Sequence, residues 1–149
     1  MTDLFHKLSL DRLGDRYEDA ALLALRLVTG LFLLYQSHDN LLSAARMEEF
    51  VGFMRQFGFW RPDLLAPFAI FWQVAAAIGF ILGLFVRPLG LVTAIQFTVA
   101  VWMVHWSQTF VGWWPALILV FLGLYFAARG GGRYALDALL TKRSRGAFA

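Results

Sequence analysis

The stretch LLAPFAIFWQVAAAIGFILGLFV, residues 64–86, carries no charged side chain and is long enough to cross a lipid bilayer. A spanning helix needs about 20 mostly apolar residues, and three other stretches come close to this requirement. The sequence therefore predicts an all-α integral membrane protein, a four-helix bundle with spans at 20–36, 64–86, 88–106 and 113–128. We expect a cytoplasmic segment at 1–19 and a basic cytoplasmic tail at 129–149.

The composition agrees with a chain that is solvated by lipid. Of the 149 residues, 60% are hydrophobic and 15% are charged, whereas soluble domains carry about 45–50% apolar and roughly 25% charged residues. The basic residues flank apolar stretches, where they act as topology signals, so the pI near 9.7 does not indicate nucleic acid. Because there is no cysteine, this chain alone has no disulfide, thiolate nucleophile or iron–sulfur site.

The segment 1–19 does not have the pattern of a signal peptide, which combines a short apolar core with a small-residue cleavage site. Acidic residues interrupt it, namely Asp3, Asp11, Asp15, Glu18 and Asp19. We therefore expect it to stay on the cytoplasmic side as part of the protein.

Between the first two spans, apolar residues recur at helical spacing while charged residues fall mostly on other sides. The apolar set comprises Met47, Phe50, Val51, Met54 and Phe57. This pattern predicts a short amphipathic helix on the membrane surface, with Ser43 as its cap and Gly58 and Pro62 beyond its end.

Lysine and arginine counts predict the orientation, since these residues concentrate on the cytoplasmic side. With the N-terminus inside, nine lie on the inner side and three on the outer side: Lys7, Arg12, Arg16, Arg87, Arg129, Arg133, Lys142, Arg143 and Arg145 against Arg46, Arg55 and Arg61. Tryptophan, which prefers the headgroup level, falls mainly at the outer boundary, at Trp60, Trp102, Trp106, Trp113 and Trp114. We therefore expect a bacterial inner-membrane protein with both termini in the cytoplasm.

Small residues at a spacing of four form a ridge on the second span, at Ala75, Gly79 and Gly83. Small-xxx-small patterns let helices approach closely in membranes. We expect another helix of the same chain along this ridge, with a homodimer seam as the alternative.

Three polar residues inside spans are candidates for a ligand site or a polar core. Arg26 lies about 9 Å into the first span, where a charge is a functional hypothesis by default, although an arginine at this depth can also snorkel to the headgroups. Gln73 and Gln96 lie near the bilayer midplane, where an amide needs a partner. The amides either bond helix to helix or bind a lipid-soluble ligand such as a quinone.

A second candidate group lies at the outer face, where the topology places His38, Asp39 and His105 on the same side. Two histidines and one carboxylate would suit a proton relay or a weak metal site. The alternative is a set of interfacial side chains that face water. The sequence contains no phosphate loop, no catalytic-triad signature and no dense metal-ligand spacing, so we assign no metal and no catalytic residue.

Four sequence patterns occur in order between about residues 20 and 140: LRLVxGxFL from 25, FGF from 57 before Pro62, GFILGLF from 79, and RGxGRYxLD from 129. Together they resemble the DoxX family of small bacterial four-helix membrane proteins. The resemblance implies a link to redox or stress-response systems, since relatives include a membrane subunit of an archaeal thiosulfate:quinone oxidoreductase. Many members carry a carboxylate in the second span, near which this chain has Gln73.

Three functions fit these observations. The first is an accessory or quinone-associated subunit of a redox or stress-response system, not catalytic alone, with a membrane or soluble redox partner. The second is a non-catalytic scaffold that holds a partner protein through the amphipathic helix and the basic tail. The third is a small-solute or metal transporter, for which a four-helix chain would have to form a dimer.

Overall fold

The computed structural model describes residues 11–140, with side chains from residue 17 onward. Five long helices follow in order: α1 (Asp11–Leu42), α2 (Ala44–Gln56), α3 (Pro62–Leu82), α4 (Val86–Ala100, continued by a π-helical turn at Val101–His105) and α5 (Phe110–Arg129). The described residues end in a further helical segment at 136–140.

Four of these helices are long and apolar enough to cross a membrane, Tyr17–Leu42, Pro62–Leu82, Val86–His105 and Phe110–Arg129. The predicted all-α membrane bundle is therefore confirmed. The chain turns earlier than predicted between α3 and α4, at residues 83–85 instead of after Val86. Gly83 (φ 74°) and Phe85 (φ 50°) both adopt the left-handed conformation, which ends one helix and begins the next.

The spans alternate in direction, so the bundle has two ends. We call one the glycine end, which holds Gly83 and Gly130–Gly132, and the other the tryptophan end, which holds Trp102, Trp106 and Trp113. In the bundle, α3 packs against both α1 and α4, and α4 packs against α5. At its centre the rings of Phe80 and Phe126 lie 4.8 Å apart, and neither residue is exposed.

The helices α4 and α5 approach each other closely at two glycines. A Cβ built on Gly90 would lie 2.7 Å from the carbonyl oxygen of Gly123, and one on Gly123 would lie 2.7 Å from that of Gly90. The ridge of small residues predicted on α3 faces different partners along its length. Gly79 faces Leu84 and Leu89, and Gly83 faces Ala135 and Arg26. Close contact of backbones is favourable in lipid, where packing rather than burial holds helices together.

The helix α2 is the predicted amphipathic helix at the tryptophan end. The hydroxyl of Ser43 accepts a hydrogen bond from the backbone N–H of Arg46, so Ser43 caps it as expected. On its exposed side, a hydrogen bond with Glu49 and the Glu49 charge raise the pKa of Arg46. Its inner side packs on α1 and α3.

Candidate functional site

A cavity of about 640 Å³ lies between α2, α3 and α4 and reaches from the middle of the bundle to the tryptophan end. Ligand pockets usually measure about 300–1,000 Å³ and combine apolar walls with a few polar groups. Its walls are mostly aromatic and aliphatic: Phe50, Phe53, Met54, Phe59, Leu65, Phe68, Ala69, Trp72, Val92, Ile95, Phe97, Val99, Ala100 and Val104. Four polar residues complete the lining, Gln36, Gln73, Gln96 and His105.

The two glutamines predicted near the midplane meet inside this cavity. The Gln96 side-chain Nε2 donates to the carbonyl oxygen of Ala69 at 3.3 Å and to Gln73 Oε1 at 3.5 Å. A carbonyl can only accept, so the Ala69 contact fixes which end of the Gln96 amide is nitrogen. Gln73 must therefore turn its oxygen towards Gln96 and its Nε2 away from it.

The amide nitrogen of Gln73 is the feature that distinguishes this cavity from a packed core. Gln73 is only 8% exposed, yet within the described residues no protein atom accepts a hydrogen bond from its Nε2. The nitrogen is not sealed inside protein, because Nε1 of Trp113 is the only buried and unpaired side-chain atom among the described residues. It is therefore accessible at the wall of the cavity. A ligand oxygen in the cavity would accept this bond.

The helix α2 forms one wall of the cavity through Phe50, Phe53 and Met54. The ring of Phe53 lies between those of Phe50 and Phe57, with ring centroids 6.3 and 4.9 Å away. The apolar side of α2 therefore forms part of the cavity wall.

His105 lies at the tryptophan end of the cavity, on the last residue of the π-helical turn. Its Nδ1 lies 3.1 Å from Oε1 of Gln108, in the short loop that follows. π-Helical turns are rare and often mark functional sites. No sequence pattern predicted this turn.

The other two members of the predicted outer cluster are joined to each other. His38 Nε2 lies 2.9 Å from Asp39 Oδ1, and both side chains are largely exposed. His105 pairs with Gln108 instead of joining them. Among the described residues, no three histidine, aspartate or glutamate side chains come together in a way that could hold a metal ion.

Arg26 lies at the glycine end, is completely buried and has a partner for each nitrogen of its guanidinium. Its Nε donates to the carbonyl oxygen of Phe80 at 3.1 Å, and its two terminal nitrogens donate to those of Gly131 and Tyr134. The side chain therefore does not snorkel outward. It ties α1 to the end of α3 and to the segment after α5.

That segment, residues 130–137, folds back across the glycine end. The carboxylate of Asp137 accepts hydrogen bonds from the backbone N–H groups of Phe85 and Val86, at 3.0 and 3.2 Å. It thus caps α4, whose own N-cap residue supplies no side-chain bond. On α1, Asp19 accepts from the N–H of Arg133 at 3.0 Å.

The family model described as DoxX matches residues 21–106, which is more than half of the chain. The chain belongs to the DoxX family. No curated protein and no solved structure shows a significant match to it. In this DoxX protein the matched region includes Arg26 and all the residues that line the cavity, while residues 130–137 lie outside it.

Proposed function

We propose that this DoxX protein binds a lipid-soluble ring of the quinone class in the cavity, as an accessory subunit of a redox or stress-response system in the bacterial inner membrane. The observation that carries the proposal is the side-chain nitrogen Nε2 of Gln73, which belongs to a largely buried residue of the cavity wall and has no acceptor among the described residues. A quinone oxygen is such an acceptor, and the ring and its apolar tail suit the aromatic walls.

The chain by itself supplies the binding site rather than the electrons. It has no cysteine for thiol chemistry, and no metal-binding group occurs among the residues that the structure describes. We assign the redox reaction to a membrane or soluble partner protein, with which the bound ring would exchange electrons.

The proposal includes the orientation of the bundle. The excess of lysine and arginine near the glycine end supports a cytoplasmic position for that end. The cavity would then open towards the outer leaflet. A reporter that is active only in the periplasm, fused after Ala149, should stay inactive. An active reporter would contradict this orientation.

Two observations make the alternatives weaker. A scaffold that docks a partner on α2 would have to use its charged side, because Phe50, Phe53 and Met54 already line the cavity. A transport path would have to pass the core beyond the cavity, where Phe80 and Phe126 are in contact and fully buried.

Trp72 provides a test, because it lines the cavity and its fluorescence reports an adjacent quinone ring. We expect decylubiquinone to quench the tryptophan fluorescence of the protein in nanodiscs, and the saturable part of the quenching should be smaller in Trp72→Phe.

A variant of Gln73 tests the hydrogen bond. Gln73→Leu should weaken quinone binding about tenfold, because it removes the hydrogen bond to the ligand and leaves the volume of the cavity similar. The matched control is Gln56→Leu, which changes an exposed glutamine that does not line the cavity. Wild-type protein that shows no saturable quenching would refute the proposal.

A further inference from the structure

The exposed part of the lining shows where the cavity opens. Most of the side chains that line it are buried or half-buried, and five are exposed. Three of these five belong to α3 and α4, namely Phe68, Ile95 and Val99, with exposed fractions of 59%, 58% and 44%. A side chain that lines a cavity and is also exposed lies at its opening. We call the gap bounded by these three residues the side opening; the other two, Gln36 and Phe53, lie towards the tryptophan end.

The side opening lies at the depth of the lipid chains. Ile95 is near the middle of the span Val86–His105, about 15 Å from its end at the tryptophan end at 1.5 Å per residue. Phe68 lies about 9 Å inside α3 on the same measure. Because the hydrocarbon core of a bilayer is about 30 Å thick, both side chains face acyl chains and not water.

The two glutamines lie directly beside the side opening. Gln96 donates to the carbonyl oxygen of Ala69 at 3.3 Å, and in the chain Ile95 precedes Gln96 while Phe68 precedes Ala69. The bond joins a side chain to a backbone, so a glutamine side chain separates α3 from α4 at this level. By contrast, α4 and α5 meet backbone to backbone at two glycines.

The end of the cavity nearer to water is farther from the glutamines. Along α4, His105 lies roughly 13 Å from Gln96. At this end α2 contributes Phe50 and Met54 to the wall, and Met54 is only 6% exposed. A molecule held at the glutamines therefore reaches lipid through the side opening over a shorter path than it reaches water.

The volume of the cavity exceeds what a ring alone needs. A cavity of about 150 Å³ is enough to hold benzene, whereas this one measures about 640 Å³. The space beside a ring would hold the first part of an apolar chain. A longer chain has to leave the cavity, and leaving through the side opening keeps it in hydrocarbon, whereas leaving at the tryptophan end would expose it to water.

We infer that the ligand enters the cavity from the bilayer through the side opening and carries a long apolar chain, which passes between Phe68 and Ile95 into the surrounding lipid. Strongly polar solutes are excluded by this route, because they would have to cross hydrocarbon to reach the opening. The inference rests on the proposed function and adds the chain of the ligand and its path to the site.

Photolabelling tests the path of the chain. The probe is a decylubiquinone analogue with a diazirine near the middle of its decyl chain, added to the full chain in nanodiscs and irradiated with and without excess decylubiquinone. Mass spectrometry then identifies the labelled residues. We expect the labelling that decylubiquinone prevents to fall on Phe68, Ile95 and Val99.

A variant that narrows the side opening tests the entry route. Ile95→Phe should slow the saturable quenching by decylubiquinone about three- to tenfold in stopped-flow measurements, because the larger side chain overfills the passage. The matched control is Leu91→Phe, one turn away on the same helix, where the leucine is 50% exposed and does not line the cavity. It should bind at the wild-type rate.

The outcomes distinguish the two proposals. Competed labelling on Gln36 or Phe53, or saturable quenching without any competed labelling, would overturn the path of the chain while the proposed function stands. Equal rates for Ile95→Phe and Leu91→Phe would overturn the entry route. If the wild type shows no saturable quenching at all, the proposed function fails and the inference fails with it.

Discussion

The two polar regions of the membrane domain differ in how completely their polar side chains are hydrogen-bonded to the protein. At the glycine end, each of the three guanidinium nitrogens of Arg26 donates to a backbone carbonyl, and Asp137 caps α4. In the cavity, the side-chain nitrogen of Gln73 has no protein partner among the described residues, although the residue as a whole is largely buried. Buried groups with complete hydrogen bonding stabilise a fold, whereas an unpaired polar atom at a cavity wall is available to a ligand. The comparison separates a structural site from the proposed binding site within one bundle.

The largest expected effect on stability is at Arg26. Arg26→Met should lower the free energy of unfolding by about 3–5 kcal/mol, because three carbonyl oxygens lose their donor. We would measure it by SDS titration in mixed micelles. Arg55→Met, in an exposed ion pair with Asp63, should change stability by less than about 1 kcal/mol. Equal effects of the two variants would contradict the structural role of Arg26.

The close contact of α4 and α5 should be nearly as sensitive. Gly123→Ala places a methyl group against the backbone of α4 and should cost about 1–3 kcal/mol. Gly52→Ala is the control, since nothing lies within 4 Å of the added carbon; it should stabilise α2 by about 0.5–1 kcal/mol. Thermal unfolding in detergent compares them, and a neutral Gly123→Ala would mean that the two helices are further apart.

A smaller loss is expected at Asp137. Asp137→Ala removes the cap of α4 and should lower stability by about 0.5–2 kcal/mol. The segment 130–137 should then detach more often, so trypsin should cleave after Arg133 faster than in wild type. Quinone binding should not change, because the cavity lies towards the other end. A change in affinity with unchanged cleavage would contradict this assignment.

The smallest stability effect is expected at Gln73, where the binding effect is large. Gln73→Leu removes an unpaired donor and the 3.5 Å hydrogen bond from Gln96. Because the Gln96 nitrogen keeps its bond to the Ala69 carbonyl, the unfolding free energy should stay within about 1 kcal/mol of wild type. The same preparation should show the tenfold weaker quinone binding given above. A strongly destabilised Gln73→Leu would mean that the amide is structural, like Arg26.

Local patterns made much of the fold predictable from the sequence. Apolar stretches long enough to span a bilayer predicted the four membrane helices, and apolar residues at helical spacing after Ser43 predicted α2 and its cap. The depth of Gln73 and Gln96 within neighbouring spans also made them candidates for one site. These features depend on residues close together in the chain, or on distances set by helix length.

The remaining features depend on pairings that no local pattern contains. Asp137 caps a helix whose first residue is Val86, about 50 positions earlier, and α4 meets α5 at Gly90 and Gly123. Both glycines have an alanine four residues later, but this spacing does not say which helices meet. The π-helical turn adds one residue per turn without a sequence signature, so the orientation of His105 could not be predicted.

The central claim is that Gln73 and its apolar cavity hold a quinone, and mass spectrometry of co-purified lipids tests it most directly. Protein isolated in mild detergent should retain a quinone near one molecule per chain, whereas Gln73→Leu, purified in parallel, should retain much less. Wild-type protein with no more quinone than an unrelated four-span protein from the same membranes would contradict the claim.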